Sequence, residues 1–261
     1  MTVTANIHPT AIVHSGARLA PDVRVGPYSV IGAEVTVEGG SVIASHVVIA
    51  GRTTIGRDNR IFQFVSVGEI PQDRKYGGEP TATEIGDGNV IREFVTIHAG
   101  TQQDRGKTTI GNRNLLLAYS HVAHDCVVGD DTTFSNNAQL AGHVVVGDYA
   151  VLGGFVGVHQ FCRVGAHAMV AAGSIVLQDV PPFVTAAGYP AKPRGSNSEG
   201  LKRRGFSADE IAAVRRAYKT LYRKALPLEE ARAAIAAEAK ATPALNPLVA
   251  FLETPGRGII R

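Results

Sequence analysis

Large aliphatic residues recur at every sixth position along most of this chain, and few folds can use such a spacing. From Ile7 the series runs through Val13, Leu19, Val25, Ile31, Val37, Ile43, Ile49, Ile55 and Ile61 to Val67. It returns at Ile85, Ile91 and Ile97. A third run goes from Ile110 through Leu116, Val122, Val128, Phe134, Leu140, Val146, Leu152, Val158, Val164 and Val170 to Val176. The position four after an anchor is usually small or β-branched, as at Ala11, Val23, Ser29, Cys126, Ala138 and Ser174. Glycine often follows the anchor, as at Gly26, Gly32, Gly56, Gly111 and Gly129.

A period of six suits neither a helix nor a flat amphipathic strand. It suits a short strand and a tight turn, repeated, with one large side chain per face pointing inward. Three such faces close a triangular coil of 18 residues, and stacked coils bury a continuous aliphatic column that one repeat could not bury alone. The expectation is an all-β solenoid, a parallel β-helix, whose hand the period leaves open. Glycines near the corners are expected to supply backbone freedom for the turns. Aromatic content of only 6% with no Trp suits a narrow prism filled by aliphatic side chains.

No stretch approaches the length of a membrane span, and the N-terminus lacks a signal-peptide pattern. The expectation is a cytoplasmic protein. Cys126 and Cys162 share one repeat position two coils apart. At about 4.8 Å per coil their Cα atoms are roughly 9–10 Å apart, beyond disulfide reach.

The repeat breaks twice. Between Gly68 and Thr83 the polar run Gln72-Asp73-Arg74-Lys75-Tyr76 and Gly78-Glu79-Pro80 cannot enter the core, so a loop must leave there. A second, shorter loop is expected near 100–108. Loops on a rigid scaffold are where function concentrates. Beyond Pro181-Pro182 the chain changes character. Ser207 and Glu210 form a capping box, with Phe206 and Ile211 placed as a hydrophobic staple. Helical spacing follows, then further helices opening near Pro227 and Pro247. The division is thus a solenoid over 1–194 and a small helical domain over 195–261.

Charge divides along the same line. Residues 200–261 carry 12 Lys and Arg against 6 Asp and Glu, a net of +6, whereas the remainder is −3. Such a patch favours an acidic partner, although a solvated helix face reads the same way. No nucleic-acid motif accompanies it.

Stacking by 18 turns sequence into neighbourhood. His124, Gly142 and Gln160 fall in one column; Asp125 and His143 share the next, and His159 lies in the one before. With His121 close by, several imidazoles converge on one patch beside a carboxylate. Histidine with a carboxylate at its second nitrogen is the arrangement of a general base. Three imidazoles could instead hold zinc, but neither a Cys-rich nor a helical His–Glu spacing supports a metal, and none is expected.

Several segments carry a resemblance: His121-Val122-Ala123-His124-Asp125-Cys126, Leu140-Ala141-Gly142-His143-Val144 and His159-Gln160-Phe161-Cys162. To these add the polar run at Gln72–Tyr76 and Glu199-Gly200-Leu201-Lys202-Arg203-Arg204-Gly205-Phe206. Together they resemble the UDP-N-acetylglucosamine O-acyltransferase family over essentially the whole length. The resemblance implies a left-handed helix, against the usual right-handed crossover, and a homotrimer with sites between neighbouring prisms. It implies transfer of an (R)-3-hydroxyacyl chain from acyl carrier protein to the 3-hydroxyl of UDP-N-acetylglucosamine, the first step of lipid A synthesis. His124 would then be the base, Asp125 its orienting group and the Gly142 N–H an oxyanion donor. Gln72, Asp73, Lys75, His121, His143, His159 and Gln160 would position the substrates. Asn197, Glu199, Arg203 and Arg204 would serve the nucleotide- and carrier-facing end. No cofactor is implied beyond the phosphopantetheine carried by the donor. The chain departs from familiar members at Tyr189-Pro190 and has Ala172 where another member has glycine. A CoA-dependent hexapeptide acyltransferase, or one acting on a 3-amino sugar nucleotide, remains the alternative.

Overall fold

The computed structural model describes residues 6–254 and 256–261, so the first five residues of the expected solenoid lie outside it. Most strands are two residues long and pair in parallel with the coil above: Ile7 opposes Val25, and Val25 opposes Ile43. Among the described residues they form three sheets of 11, 9 and 8 strands, the faces of a prism. The fold is a left-handed parallel β-helix of hexapeptide repeats followed by a small helical unit.

The anchors point inward as their spacing requires. Ile31, Ile43, Leu116 and Leu140 are each exposed by 1% or less, and burying such a side chain is worth about 1.5–3 kcal/mol. Phe134, the aromatic member of the anchor series, is fully buried in the same column. The other ring systems mostly stand outside at the corners. Tyr28, His46, Phe64, Phe94 and Tyr119 stack in one external ladder with centroids 4.7–5.2 Å apart.

The glycines have a different reason from the one expected. The left-handed turn positions belong largely to other residues: Tyr28 has φ 58°, Asp125 59° and His143 63°. The glycines after the anchors are needed because the next coil passes so close. A Cβ at Gly26 would lie 2.7 Å from the Ala44 carbonyl carbon, and one at Gly111 2.7 Å from the Gly129 oxygen. No side chain fits there.

Both loops leave the same corner on successive coils. The partner of Ile61 is Ile91, 30 residues on, and that of Ile91 is Leu116, 25 on, against the usual 18. The strands Ser66–Glu69 and Ala82–Ile85 keep Gly68, Glu69 and Thr83 in the wall. The outward part of the first loop is therefore 70–81, narrower than the expected 68–83. The strands Thr96–His98 and Lys107–Ile110 likewise limit the second to 99–106.

A hairpin of Val184–Ala187 and Lys192–Ser196 closes the solenoid, with Tyr189 and Pro190 in its turn. The expected division at 194/195 falls inside its second strand. Helices α1 (Ser198–Arg203), α2 (Ala208–Tyr222), α3 (Leu228–Ala239) and α4 (Asn246–Glu253) follow. The capping box forms at α2: the Ser207 hydroxyl accepts from the Glu210 N–H, and Glu210 accepts from the Ser207 N–H. Leu201, Val214, Leu221, Ile235, Leu245 and Leu248 make a second core that includes Phe183 at the solenoid's end. The chain then returns to the prism, where buried Asp179 binds Arg163 at 2.8 Å. Arg163 also donates to the carbonyls of Phe251 and Thr254.

Candidate active site

The groove beside the loops has a volume of about 520 Å³. The second sheet and the corner after it supply its wall. Gln72 overhangs one end, His121, His124, Gly142, His159 and Gln160 line it, and Gly157, Val158, Ile175 and Leu177 provide apolar floor. Six of the fourteen residues expected from the sequence thus line the groove.

His124 and Asp125 meet because the turn brings adjacent residues back toward each other. The His124 Nδ1 lies 2.9 Å from Asp125 Oδ2. Asp125 is buried, in the left-handed region, with its N–H donating to Thr108 Oγ1 at 2.9 Å. Its carboxylate also accepts from the Thr101 N–H at 2.9 Å and the Thr101 hydroxyl at 2.6 Å. Burial pushes the Asp125 pKa up, but the hydrogen bonds from His124 and Thr101 and the nearby His143 outweigh it, and the net direction is down. An ionised carboxylate only accepts, so His124 carries its hydrogen on Nδ1 and keeps the Nε2 lone pair for the groove.

Gly142 lies beneath that ring. A Cβ there would stand 2.6 Å from His124 Nε2 and 2.5 Å from Cε1. Among the described residues nothing accepts from the Gly142 N–H. The His124 ring and a free backbone amide are therefore neighbours, an arrangement suited to acyl transfer.

His143 stands at the rim. Its ring meets His124 edge-on at 4.9 Å and stacks on Phe161 at 4.4 Å. Its Nδ1 is 2.7 Å from Asp104 Oδ2 and 3.9 Å from Asp125 Oδ2. His121 is held differently, with Nδ1 at 2.7 Å from the Thr96 hydroxyl. Burial, with His98 beside it, pushes His121 down to about 4, so its imidazole is neutral near neutral pH. Cys126, directly after the dyad, has its thiol pushed up to about 12 by burial. It stays protonated and is no nucleophile. Both cysteines are free.

Not every expected residue reaches the groove within one chain. The Asp73 carboxylate accepts from the Lys75 N–H at 3.0 Å, which shapes the loop tip, and neither side chain lines the groove. Asn197 caps α1, accepting from Gly200, and donates to the His167 carbonyl at 2.9 Å. Glu199 and Arg203 are exposed, and Arg204 lies over the Tyr149 ring at 4.3 Å. Thr101, Thr108 and Asp104 were not expected. Thr101 and Asp104 sit in the second loop, which the spacing placed near 100–108 without showing where it returns.

The residues fit a metal in one respect: single donor atoms of His124, Asp125 and His143 all lie within 4.8 Å of one another. Their hydrogen bonds point elsewhere. Asp125 is already occupied by Thr101 and His124, and His143 by Asp104.

Comparison with known proteins bears on the family of the chain. Residues 107–142 match the family model for bacterial transferase hexapeptide repeats, and 179–260 that for the second domain of UDP N-acetylglucosamine O-acyltransferase. A Thiobacillus denitrificans protein named acyl-carrier-protein–UDP-N-acetylglucosamine O-acyltransferase is 60% identical, the match covering 98% of this chain and 100% of that one. One of the same name from Herminiimonas arsenicoxydans is 59% identical over 98% and 99%. The solved structure of LpxA from Acinetobacter baumannii superposes with a TM-score of 0.95 at 46% identity, covering 98% and 99% of the two chains. The Francisella novicida UDP-N-acetylglucosamine acyltransferase gives 0.95 at 44% identity, over 98% and 94%.

The hexapeptide-repeat coils and the relatives that share them define an acyltransferase of the hexapeptide-repeat class. Within it, the chain belongs to the UDP-N-acetylglucosamine O-acyltransferase family.

Proposed function

We propose that this enzyme transfers an (R)-3-hydroxyacyl group from acyl carrier protein to the 3-hydroxyl of UDP-N-acetylglucosamine, the first step of lipid A synthesis. The observation that carries the reading is the His124–Asp125 dyad, 2.9 Å apart, beside a groove lined by both polar and apolar residues. His124 Nε2 takes the proton of the sugar hydroxyl as its oxygen attacks the thioester carbonyl. Asp125 holds the ring in place and stabilises the imidazolium. The carbonyl oxygen becomes an oxyanion that accepts from the Gly142 N–H. Collapse breaks the C–S bond, and the leaving pantetheine sulfur takes the proton back from His124. The ester and a free carrier thiol result, with no resident cofactor consumed.

In this reading Gln72 and His121 meet the sugar, while Gly157, Ile175 and Leu177 accommodate the acyl chain. His159 and Gln160 sit between them. Asp73, Lys75 and His143 complete the sugar side. The resemblance further implies a homotrimer acting in the cytoplasm, with Asn197, Glu199, Arg203 and Arg204 turned to the nucleotide and carrier. The acidic carrier is matched by the +6 charge of residues 200–261. Part of that charge is engaged internally, since Arg216 pairs with Glu238 at 2.7 Å and Arg215 donates to Ser198 at 3.0 Å. Lys202, Arg203, Lys219, Arg223 and Lys224 are exposed and suit steering of the encounter. Among the described residues no helix is long and apolar enough to cross a membrane.

The test is incubation with UDP-N-acetylglucosamine and a series of 3-hydroxyacyl carrier proteins, with mass analysis of the nucleotide product. A single added acyl group in ester linkage is expected. Absence of product with every carrier, or equal turnover with acyl-CoA, overturns the reading.

A further inference from the structure

The second loop touches the site twice. Thr101 gives Asp125 two hydrogen bonds, and three residues later Asp104 reaches His143 Nδ1 at 2.7 Å. The Asp104 side chain is 36% exposed and that of His143 14%, so this is no ordinary pair of waving surface charges. The imidazole is fixed on its remaining sides as well. Phe161 stacks on its face at 9°, and His124 meets it edge-on at 89°. Its backbone N–H donates to the His124 carbonyl at 3.0 Å.

Two carboxylates compete for the same nitrogen. Asp125 Oδ2 lies 3.9 Å from His143 Nδ1 and is at the same time the acceptor for His124. Asp104 is nearer by more than an ångström and lies outside the dyad. Without it, His143 Nδ1 would have Asp125 as its nearest carboxylate, and two imidazoles would share one acceptor already engaged by Thr101. A carboxylate accepts only, so with Asp104 in place His143 carries its hydrogen on Nδ1 and presents Nε2 as an acceptor.

We propose that Asp104 is a positioning residue: it holds His143 as the Nδ1–H tautomer, leaves Nε2 for a substrate donor at the groove mouth, and keeps Asp125 for His124. The part of this that concerns substrate rests on the acyl-transfer reading above. The part that concerns the tautomer does not. The mechanism uses the general rule that an imidazole's free nitrogen is set by the hydrogen bond its other nitrogen makes.

The experiment combines nitrogen NMR of histidine-labelled protein with kinetics. Wild-type His143 should show the Nδ1–H form, and Asp104→Ala a mixture of both forms. Asp104→Ala should lower kcat/KM by about fivefold to thirtyfold, as expected for one partly exposed charge-assisted hydrogen bond. Asp104→Asn, whose amide oxygen can accept the same hydrogen, should recover to within about threefold of wild type. In a His143→Ala background Asp104→Ala should cost less than about twofold more, because the interaction is already gone. A loss that persists in that background would show a merely structural loop and overturn the assignment. So would an unchanged His143 tautomer, or wild-type kcat/KM for Asp104→Ala. The spectrum needs no substrate, so a wrong tautomer sinks this inference alone, whereas an inactive wild type with the expected tautomer sinks only the acyl-transfer reading.

Discussion

His98 and His121 meet edge-on at 4.9 Å and 82°, and His124 and His143 meet edge-on at 4.9 Å and 89°. The ring geometry is nearly the same; the company is not. In the second pair each Nδ1 has a carboxylate, Asp125 or Asp104. In the first, His121 bonds the Thr96 hydroxyl, and buried His98 Nδ1 has no hydrogen-bond partner among the described residues. Burial pushes both of these imidazoles down, and Glu69 only partly offsets that for His98. Two imidazoles in contact are therefore not enough to make a base. A carboxylate at each Nδ1, placed to orient the ring and stabilise its charged form, separates the second pair from the first.

The largest expected effect tests that division directly. His124→Ala should lower turnover by about 10²–10⁴-fold, the usual loss on removing a general base, with the fold intact because His124 is not an anchor. His121→Gln removes one neutral hydrogen-bonding group and should cost at most about tenfold, mainly in KM for the sugar nucleotide. Steady-state kinetics of the two variants decide the matter. Equal losses in turnover would erase the distinction between the pairs.

Next in size is Gly142→Ala. Its Cβ would collide with His124 Nε2 and Cε1 at 2.5–2.6 Å, so the ring must leave its place over the amide. A displacement on the scale of an ångström can cost about a hundredfold, and a drop in kcat of tenfold to a hundredfold is expected. A crystal structure of the variant should show His124 shifted while His121 is unmoved. Unaltered kcat would mean that the ring position over Gly142 is irrelevant to the chemistry.

The division between the pairs was only partly legible in the sequence. His124, Gly142 and Gln160 could be stacked on paper because the coils from Ile110 to Val176 all have the same length. The adjacency of Asp125 was visible too. Asp104 and Thr101 were not, since they lie in a loop whose seven extra residues break the count that maps one coil onto the next (25 residues against 18). Without those partners, four imidazoles read as one cluster. Buried His98 escaped notice for the same reason, being on the far side of that break. In the tail, the capping box at Ser207 announced α2. The strand Lys192–Ser196 contains Pro193 and Gly195, residues that argue against a strand, and only its place at the open end of the solenoid gives it a partner.

A smaller effect concerns stability in acid. The His121 pKa falls from 6.5 unfolded to about 4 folded, so between those values the unfolded chain binds more protons than the native one. Stability then rises with pH in this window and is lost as pH falls from 6.5 toward 4, by up to about 1.4 kcal/mol per pH unit for one such group. His121→Gln should flatten the dependence of the melting temperature on pH in that interval. An unchanged slope would place His121 in a more hydrated setting than its burial indicates and weaken the contrast between the pairs.

The smallest expected effect is none, from chelation. His124, Asp125 and His143 lie close enough to offer three ligand atoms within 4.8 Å, and zinc there would turn the contrast into one between metal ligands and bystanders. Two features argue for acid–base chemistry. Asp125 receives two hydrogen bonds from Thr101 that fix its carboxylate toward the protein, and His143 Nδ1 faces Asp104 on the loop. A metal taking these nitrogens and oxygens would have to displace those bonds, whereas a base needs them kept. Full activity is therefore expected after exhaustive treatment with a strong chelator, with less than stoichiometric zinc by elemental analysis. Activity lost to the chelator and restored by zinc would reassign the carboxylate-backed pair as a metal centre, and the difference between the two histidine pairs would then be one of coordination.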